Sequence, residues 1–410
     1  LTSALIEADF KNAEVNMGSL WQKQINEDGH IRAQLMLTDR EGKRSNTIHL
    51  TDIRAEAPDL DIRGSVEFAE NFKLLGVDMN TLKIGGLVDA SMGAKPDVGG
   101  VLAVDLKGAY LSVEPWVQRA FRSPSRAATL PIMLKADMEK LALNTDYVLK
   151  DAKLVFSHTG KAVKLARLNG QVDKGDFVAE IVEMRETATR SVHIDVPNAQ
   201  TALFTLLGLD YITGGTLNID GVLPAVGEQG GLVAQLILED FTLTKAPAFT
   251  QILSLASLTG LASTLSGSGL AFTKLDLQFS MQNNQLKIRD GRASGAALGI
   301  TGEGDIDLGK RIVDFDGVLV PAYGVNSVMG KIPVLGGVIV GKKGEGLFAL
   351  NYAVKGPFAQ TQISVNPLSA LTPGFLRRVF DVKRDDVNRP ALSGIKEDTA
   401  DKPADADPKN

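Results

Sequence analysis

The residues that first suggest chemistry are the glycines and lysines of Gly336–Gly346, GGVIVGKKGEG. Gly336, Gly341 and Lys342 fit the spacing G-x-x-x-x-G-K, in which a glycine-rich loop cradles phosphates and the lysine reaches them. Two features oppose a nucleotide site. Lys343 stands where a Ser or Thr hydroxyl must hold magnesium. The next residues, GEGLFALNYAV, alternate like a strand, whereas a phosphate loop opens a helix whose N-terminus faces the anion. The stretch therefore reads as a glycine-rich turn with two solvated lysines. Gly267–Phe272, GSGLAF, closes a helical pattern instead of opening one, so it is no dinucleotide fingerprint. His30, His49, His158 and His193 are far apart and lack the spacing of convergent metal ligands; they read as surface or strand-face histidines. Asp305, Asp307, Asp314 and Asp316 alternate along strands and read as a wet face, not as an acid/base pair. There is no Gly-x-Ser-x-Gly elbow and no cysteine, which removes thiolate nucleophiles, cysteine metal sites and disulfides. The expectation is a protein without catalytic residues, metal or cofactor.

The elements that carry these residues are mostly strands. Leu60, Ile62, Val66 and Phe68 alternate with Asp61, Arg63, Ser65 and Glu67. Ile31, Ala33, Leu35 and Leu37 repeat the pattern, as do Leu275, Leu277, Phe279 and Met281, and Phe348, Leu350, Tyr352 and Val354. A period of two means one apolar and one polar face. Glycines (41 in all) and Asn or Asp turns separate the strands at hairpin spacing, which predicts a long antiparallel meander, greasy on one side and wet on the other. Helical spacing enters at two places. Asn198 caps and Gly208 ends a helix carrying Ala199, Ala202, Leu203, Leu206 and Leu207. A second runs from Pro247 to Gly267 with Leu253, Leu255, Leu258, Leu261 and Leu265. EPWVQRAF, from Glu114, is a short third candidate.

Composition narrows the class. The 410 residues are 44% hydrophobic, enough for a substantial core, but only 6% aromatic, too few for platforms that stack bases or sugars. Net charge is −5 with no basic stripe, which argues against nucleic acid. The start, LTSALIEADF, has no initiator Met, basic n-region or apolar h-region, and reads as an interior piece of a longer protein. The longest uncharged window, Ala246–Thr273, is rich in Ser, Thr and Gly and is not expected to span a bilayer. From about Asp381 the chain loses its apolar mass, and residues 381–410 are expected to be a disordered charged tail.

The C-terminal half resembles a known family. FTLTKAPAFTQILSLASLTGLASTLSGSGLAFTKLDLQF, then GDIDLGKRIVDFDGVLVPAYGVN, then IPVLGGVIVGKKGEGLFALNYAVKGPFAQTQISVNPLSALTPGFLRRVF are similar to successive passages of AsmA-like bacterial envelope proteins of the YhdP and TamB type. Pro333, Gly336, Gly346, the NYAVKGP strand and Val365–Arg378 carry the likeness, and LFTLLGLDYITGGTLNIDG resembles an upstream passage of the same group. The likeness is good from about Asn198 to Phe380 and diffuse before that. It implies a long curled antiparallel β-sheet whose inner face is an apolar groove, with a few short amphipathic helices. It divides the chain into a β-rich groove segment (1–197), an AsmA-like region (198–380) and the tail. It further implies a periplasmic protein, anchored in the inner membrane by a helix absent from this chain, that carries phospholipids between inner and outer membrane.

On that reading Leu275, Leu277, Phe279, Met281, Val313, Phe315, Leu319, Phe348, Leu350, Tyr352 and Val354 line the groove. Periodicity alone favours an ordinary sandwich or barrel core, and the resemblance selects the groove. Roughly twenty strands at about 4.8 Å would make a groove of about 100 Å. The leucine-rich helices plug or line its ends, or rest on a membrane surface; packing onto the groove mouth is preferred because Ala246–Thr273 has no basic face for anionic lipid. Gly317–Gly341 is either a membrane-proximal apolar end, with Lys342 and Lys343 near headgroups, or an ordinary loop with a short buried helix. The competing function is an envelope structural or assembly protein that binds a β-rich outer-membrane client by strand addition.

Overall fold

The structure is a computed structural model and describes residues 2–18, 21–38, 47–116, 130–173, 175–207, 209–321 and 349–367. Outside these residues lie the expected tail, Phe348, the GGVIVGKKGEG turn, the Gly208 helix end, the part of EPWVQRAF beyond Trp116, and the chain after Pro367.

One open sheet of twenty strands dominates the described chain. It begins with β1 (Thr2–Asp9), pauses for a two-residue ladder of β2 (Val15–Asn16) and β3 (Gln22–Lys23), and continues with β4 (His30–Thr38), β5 (Thr47–Ala57), β6 (Leu60–Ala69), β7 (Leu74–Ile84), β8 (Val88–Pro96) and β9 (Leu102–Ser112). Next come β10 (Ile132–Ala142), β11 (Val148–His158), β12 (Val163–Val172), β13 (Gly175–Glu183), β14 (Arg190–Val196), β15 (Ile212–Leu223) and β16 (Leu232–Leu243). The last six are β17 (Leu270–Gln282), β18 (Gln285–Ser294), β19 (Leu298–Asp307), β20 (Ile312–Pro321), β21 (Leu350–Pro357) and β22 (Gln362–Pro367). Each alternating segment expected from the sequence is one of these strands. Nineteen steps of about 4.8 Å give a sheet about 90 Å long across its strands.

Neighbours in sequence pair antiparallel, with one departure from the expected meander: β9 and β10 are parallel, in unbroken register from Leu102↔Ile132 to Ser112↔Ala142. A parallel pair needs a connection that returns the chain to the starting end, and residues 113–131 make it. The sheet runs on past Asn198, with seven registered pairs joining β14 to β15.

Register shifts mark each pair from β4–β5 to β8–β9, at Arg32/Gln34, Leu50/Ile53, Arg63/Gly64, Met79/Leu82 and Asp89/Ala90. Another lies at Lys150/Lys153 between β11 and β12. Asp52 and Asp151 adopt left-handed φ of 46° and 48° at these places, a conformation that Asp tolerates better than most residues. A bulge bends its strand and re-aims the residues beyond it. Past this line Val88, Leu111, Leu141 and Leu149 are buried, so one long margin of the sheet is turned into the core.

The three longest described helices join strands at that same margin. α1 (Ala199–Leu207) links β14 to β15, and Asn198 Oδ1 accepts the Thr201 N–H at 3.1 Å, the expected N-cap. The single helix expected over 247–267 is two, α2 (Pro247–Leu255) and α3 (Thr259–Ser266). The break is a Schellman turn: Leu258 N–H reaches Leu253 O at 2.8 Å and Ser257 N–H reaches Ser254 O at 3.0 Å. Ser257 takes the left-handed position, φ 59°, more often held by Gly. The leucine periodicity runs straight through this turn because Leu258 folds back into the core as a helical leucine would. α2 sits in the β16–β17 connection yet touches β22. Five strand steps, about 24 Å of sheet, separate β17 from β22, while nine helical residues span only about 14 Å. The sheet must therefore curl around the helix.

A β-branched residue at φ > 0 is strained, and Gly is not. Ser257→Val should lower unfolding free energy by about 1–2 kcal/mol, whereas Ser257→Gly should leave it unchanged or raise it. Urea denaturation of the two variants measures both.

Candidate functional site

The registers decide what the strands build together. Because side chains alternate, residues directly opposite one another share a face, and the face can be followed from strand to strand. Starting at Ile53 on β5, the ladder runs Gly64, Met79, Met92, Leu106, Ala136, Leu154, Leu168, Ala179. It continues Ile194, Ile219, Leu236, Leu277, Gly291, Gly302, Gly317, Tyr352 and Val365 on β22. Every strand from β5 to β22 contributes, and the single polar atom is the Tyr352 hydroxyl, which donates to Thr301 O at 3.0 Å. Parallel rows flank it, such as Ala234–Phe279–Ile288–Gly304–Phe315–Val354–Ile363.

Ten of the eleven residues expected to line a groove lie on this one face. Leu275, Leu277, Phe279, Met281, Val313, Phe315 and Val354 are half-buried there. Leu319, Leu350 and Tyr352 share the face but sit in the packed margin, at 0%, 3% and 7% exposure, so they offer little surface to a ligand. Phe348 lies outside the described residues. The helices explain the difference: Ile252, Leu253, Ala262 and Leu265 join one cluster with Phe241, Phe272, Leu298, Leu319 and Leu350. They pack on the apolar face at its turned-in margin. Away from it, Leu106, Leu154, Ile194, Ile219, Leu236 and Leu275 stay only partly buried in mid-strand. A sandwich interior would exclude solvent from these positions.

Between β18 and β20 the ladder is glycine three times over. A Cβ on Gly302 would lie 2.3 Å from the Phe315 ring, and one on Gly317 would lie 2.1 Å from Thr301 O and 2.5 Å from the Tyr352 ring. The two rings, 6.4 Å apart, fold down onto the bare backbone and form the floor that side chains supply elsewhere. The spacing of these glycines in sequence carries no such signal, since it appears only once the strands are in register.

The other face is charged. Lys355 bridges Asp314 at 2.8 Å and Asp316 at 3.2 Å, Arg292 holds Asp290, and Gln235 donates to Asp276 at 2.6 Å. The carboxylates of β19 and β20 thus form the expected wet face. A solvent-open saddle of about 550 Å³ lies on this side, lined by Arg292, Thr301, Glu303, Asp316, Asn351 and Asn366. His30, His49 and His193 each face a carboxylate: Asp9 at 3.5 Å, Glu67 at 3.3 Å, and both Asp220 and Asp195 at 2.7 and 2.9 Å. Among the described residues no three His, Asp or Glu side chains converge as metal ligands, and no helix is long and apolar enough to cross a membrane. No protein-family model, curated protein or solved structure matches the chain.

The two faces respond differently to substitution. Gly317→Val must displace a ring or a carbonyl and should cost about 2–3 kcal/mol. Gly93→Val, with open space around its would-be Cβ, should cost almost nothing in the same denaturation assay. For His193, partial burial opposes the charged ring, but the Asp220 hydrogen bond and the charges of Asp195 and Asp220 outweigh it and raise the pKa. A raised folded pKa means stabilisation that is complete below the ordinary value near 6.5 and lost as pH rises through the folded value. The stability advantage of the native chain over His193→Gln should therefore be full below about pH 5.5 and shrink as the pH rises past about 6.5. Because the ring is well exposed, that advantage should not exceed about 1 kcal/mol.

Proposed function

We propose that this chain is a carrier that shields the acyl chains of phospholipids along the apolar face of its curled sheet. The observation that carries the reading is the uninterrupted apolar ladder from β5 to β22, in which Leu106, Leu154, Ile194, Ile219, Leu236 and Leu277 are only partly buried although Met79, Ala136, Leu168 and Tyr352 are buried. Exposing one sixteen-carbon chain to water costs about 12 kcal/mol at about 0.8 kcal/mol per CH₂. A face that offers an apolar residue or bare backbone at each step of about 4.8 Å removes that cost along a path, without a pocket for any one lipid. The resemblance to AsmA-like envelope proteins supports the setting: the periplasm, attachment to the inner membrane, and traffic between inner and outer membrane.

A second reading has its own observation. Among the described residues β1 pairs with β4 alone, and Leu5 and Ile6 on it are 55% and 44% exposed. An unguarded edge of this kind accepts another strand, which suits a β-rich client in envelope assembly.

Extraction of the gently purified chain, followed by mass spectrometry, separates the two. Copurifying phospholipid that is lost in the double variant Leu277→Asp, Phe279→Asp supports shielding. A lipid-free chain that captures an outer-membrane β-protein, and loses it when Leu5→Pro breaks the edge, supports assembly and sinks the carrier.

A further inference from the structure

The apolar face carries charge at its unturned margin, where Glu183 on β13 and Arg190 on β14 stand opposite each other. There Arg190 opens β14, two residues before Val192 and on the same side as Val192, Ile194 and Val196. Its guanidinium is held in place: Nε donates to Pro224 O at 2.9 Å, and Nη1 donates to Val163 O at 2.7 Å. Val163 opens β12 and Pro224 directly follows β15, three strand steps or about 14 Å apart along the sheet. One guanidinium bridging both carbonyls requires the margin to be drawn inward on this side.

A guanidinium has five N–H donors, so three remain, one on Nη1 and two on Nη2. No described carboxylate lies within ion-pair distance of it. Glu183, its partner across β13–β14, is engaged by Lys164 at 3.3 Å. Burial pulls the Arg190 pKa below its usual value, with the Glu183 charge acting in the opposite sense, so this is a partly desolvated cation that water compensates incompletely. The surrounding margin adds Lys161, Lys164 and Arg185 against Glu183, Glu186 and Glu228. Four cations against three carboxylates leave this stretch slightly positive in a chain of net charge −5.

We propose that Arg190 is the contact for the phosphate of a lipid whose acyl chains lie on the adjoining apolar face; this rests on the shielding reading above. A fixed guanidinium with a free fork of N–H groups matches the tetrahedral oxyanion of a phosphodiester. Its place at the end of an apolar strand row puts that charge where a headgroup leaves the tails. The class of ligand is therefore a phosphate-bearing diacyl lipid, and the same tails without phosphate should not discriminate at this residue.

The test measures binding of dioleoyl phosphatidylglycerol and of dioleoylglycerol to the whole chain, native and Arg190→Gln. The expected result is about a tenfold loss for phosphatidylglycerol, no change for dioleoylglycerol, and partial rescue by Arg190→Lys. Unchanged dioleoylglycerol binding also certifies that the variant is folded. Equal losses for both lipids would make Arg190 a structural strap and overturn the proposal, as would no loss for either. If millimolar inorganic phosphate displaces neither lipid yet binds in an Arg190-dependent way, the residue is a free-anion site and the headgroup assignment fails. Failure of the shielding reading looks different: the native chain then binds neither lipid, and Leu277→Asp with Phe279→Asp changes nothing.

Discussion

Everything in this fold depends on the parity of strand pairing. In a sheet the side-chain period is two, so a slip of one residue between any two neighbours would send a strand's apolar side chains to the wet face and break the ladder there. From β5 to β22 the ladder stays apolar through every pairing, the parallel one included. The bulges show how closely this is kept. On β5, Leu50 and Ile53 are three apart, an odd step that ordinary alternation forbids to one face, yet both oppose apolar partners, Val66 and Gly64. The extra residue at Asp52 absorbs the difference and bends the strand in the same stroke. Curvature is thus obtained without loss of phase.

That curvature sorts the apolar face into two zones. Along the turned-in margin, α1, α2 and α3 and the bent strand ends bury leucines and phenylalanines to a few per cent exposure, and most of the folding free energy from apolar burial must reside there. Across the middle, the same chemistry is left half-covered. The division assigns stability to one margin and an accessible apolar surface to the rest, so a substitution such as Leu277→Asp falls on the surface, where it leaves the packed margin intact.

Much of this was legible from spacing. Alternation in Leu275–Met281 and in Leu60–Phe68 identifies strands and their apolar sides, because periodicity is a local property. The Asn198 cap is equally local. What was not legible is what depends on which strand meets which. Gly291, Gly302 and Gly317 lie 11 and 15 residues apart and form one bare stripe only after register is set. The parallel β9–β10 junction has no mark in either strand. Leu319 and Leu350 alternate as Val313 and Val354 do, and only the helices that cover one margin bury them. Arg190, in TRSVHIDV, looks like any polar strand opener until its place on the apolar side is known. Ser257 hides a helix break because a left-handed Ser has no sequence signature comparable to Gly.

An apolar strip of this extent is itself a constraint. Monomeric proteins rarely leave more than a few hundred Å² of contiguous apolar surface in water. A sheet could remove the cost by folding its two halves face to face, as sandwiches do, at a separation of about 10 Å. Here α2 and α3, two short and wholly uncharged helices packed on each other at one margin, already stand between β22, which α2 touches, and β17, which α3 touches. Side chains of Leu236, Leu277 and Phe279, beyond the helices, are only partly buried. Water against these side chains is costly, and a polar ligand would gain nothing there. Hydrocarbon, which needs no hydrogen bonds and adapts to any apolar wall, would cover them at the lowest free energy, and on the carrier reading proposed above a lipid tail does so.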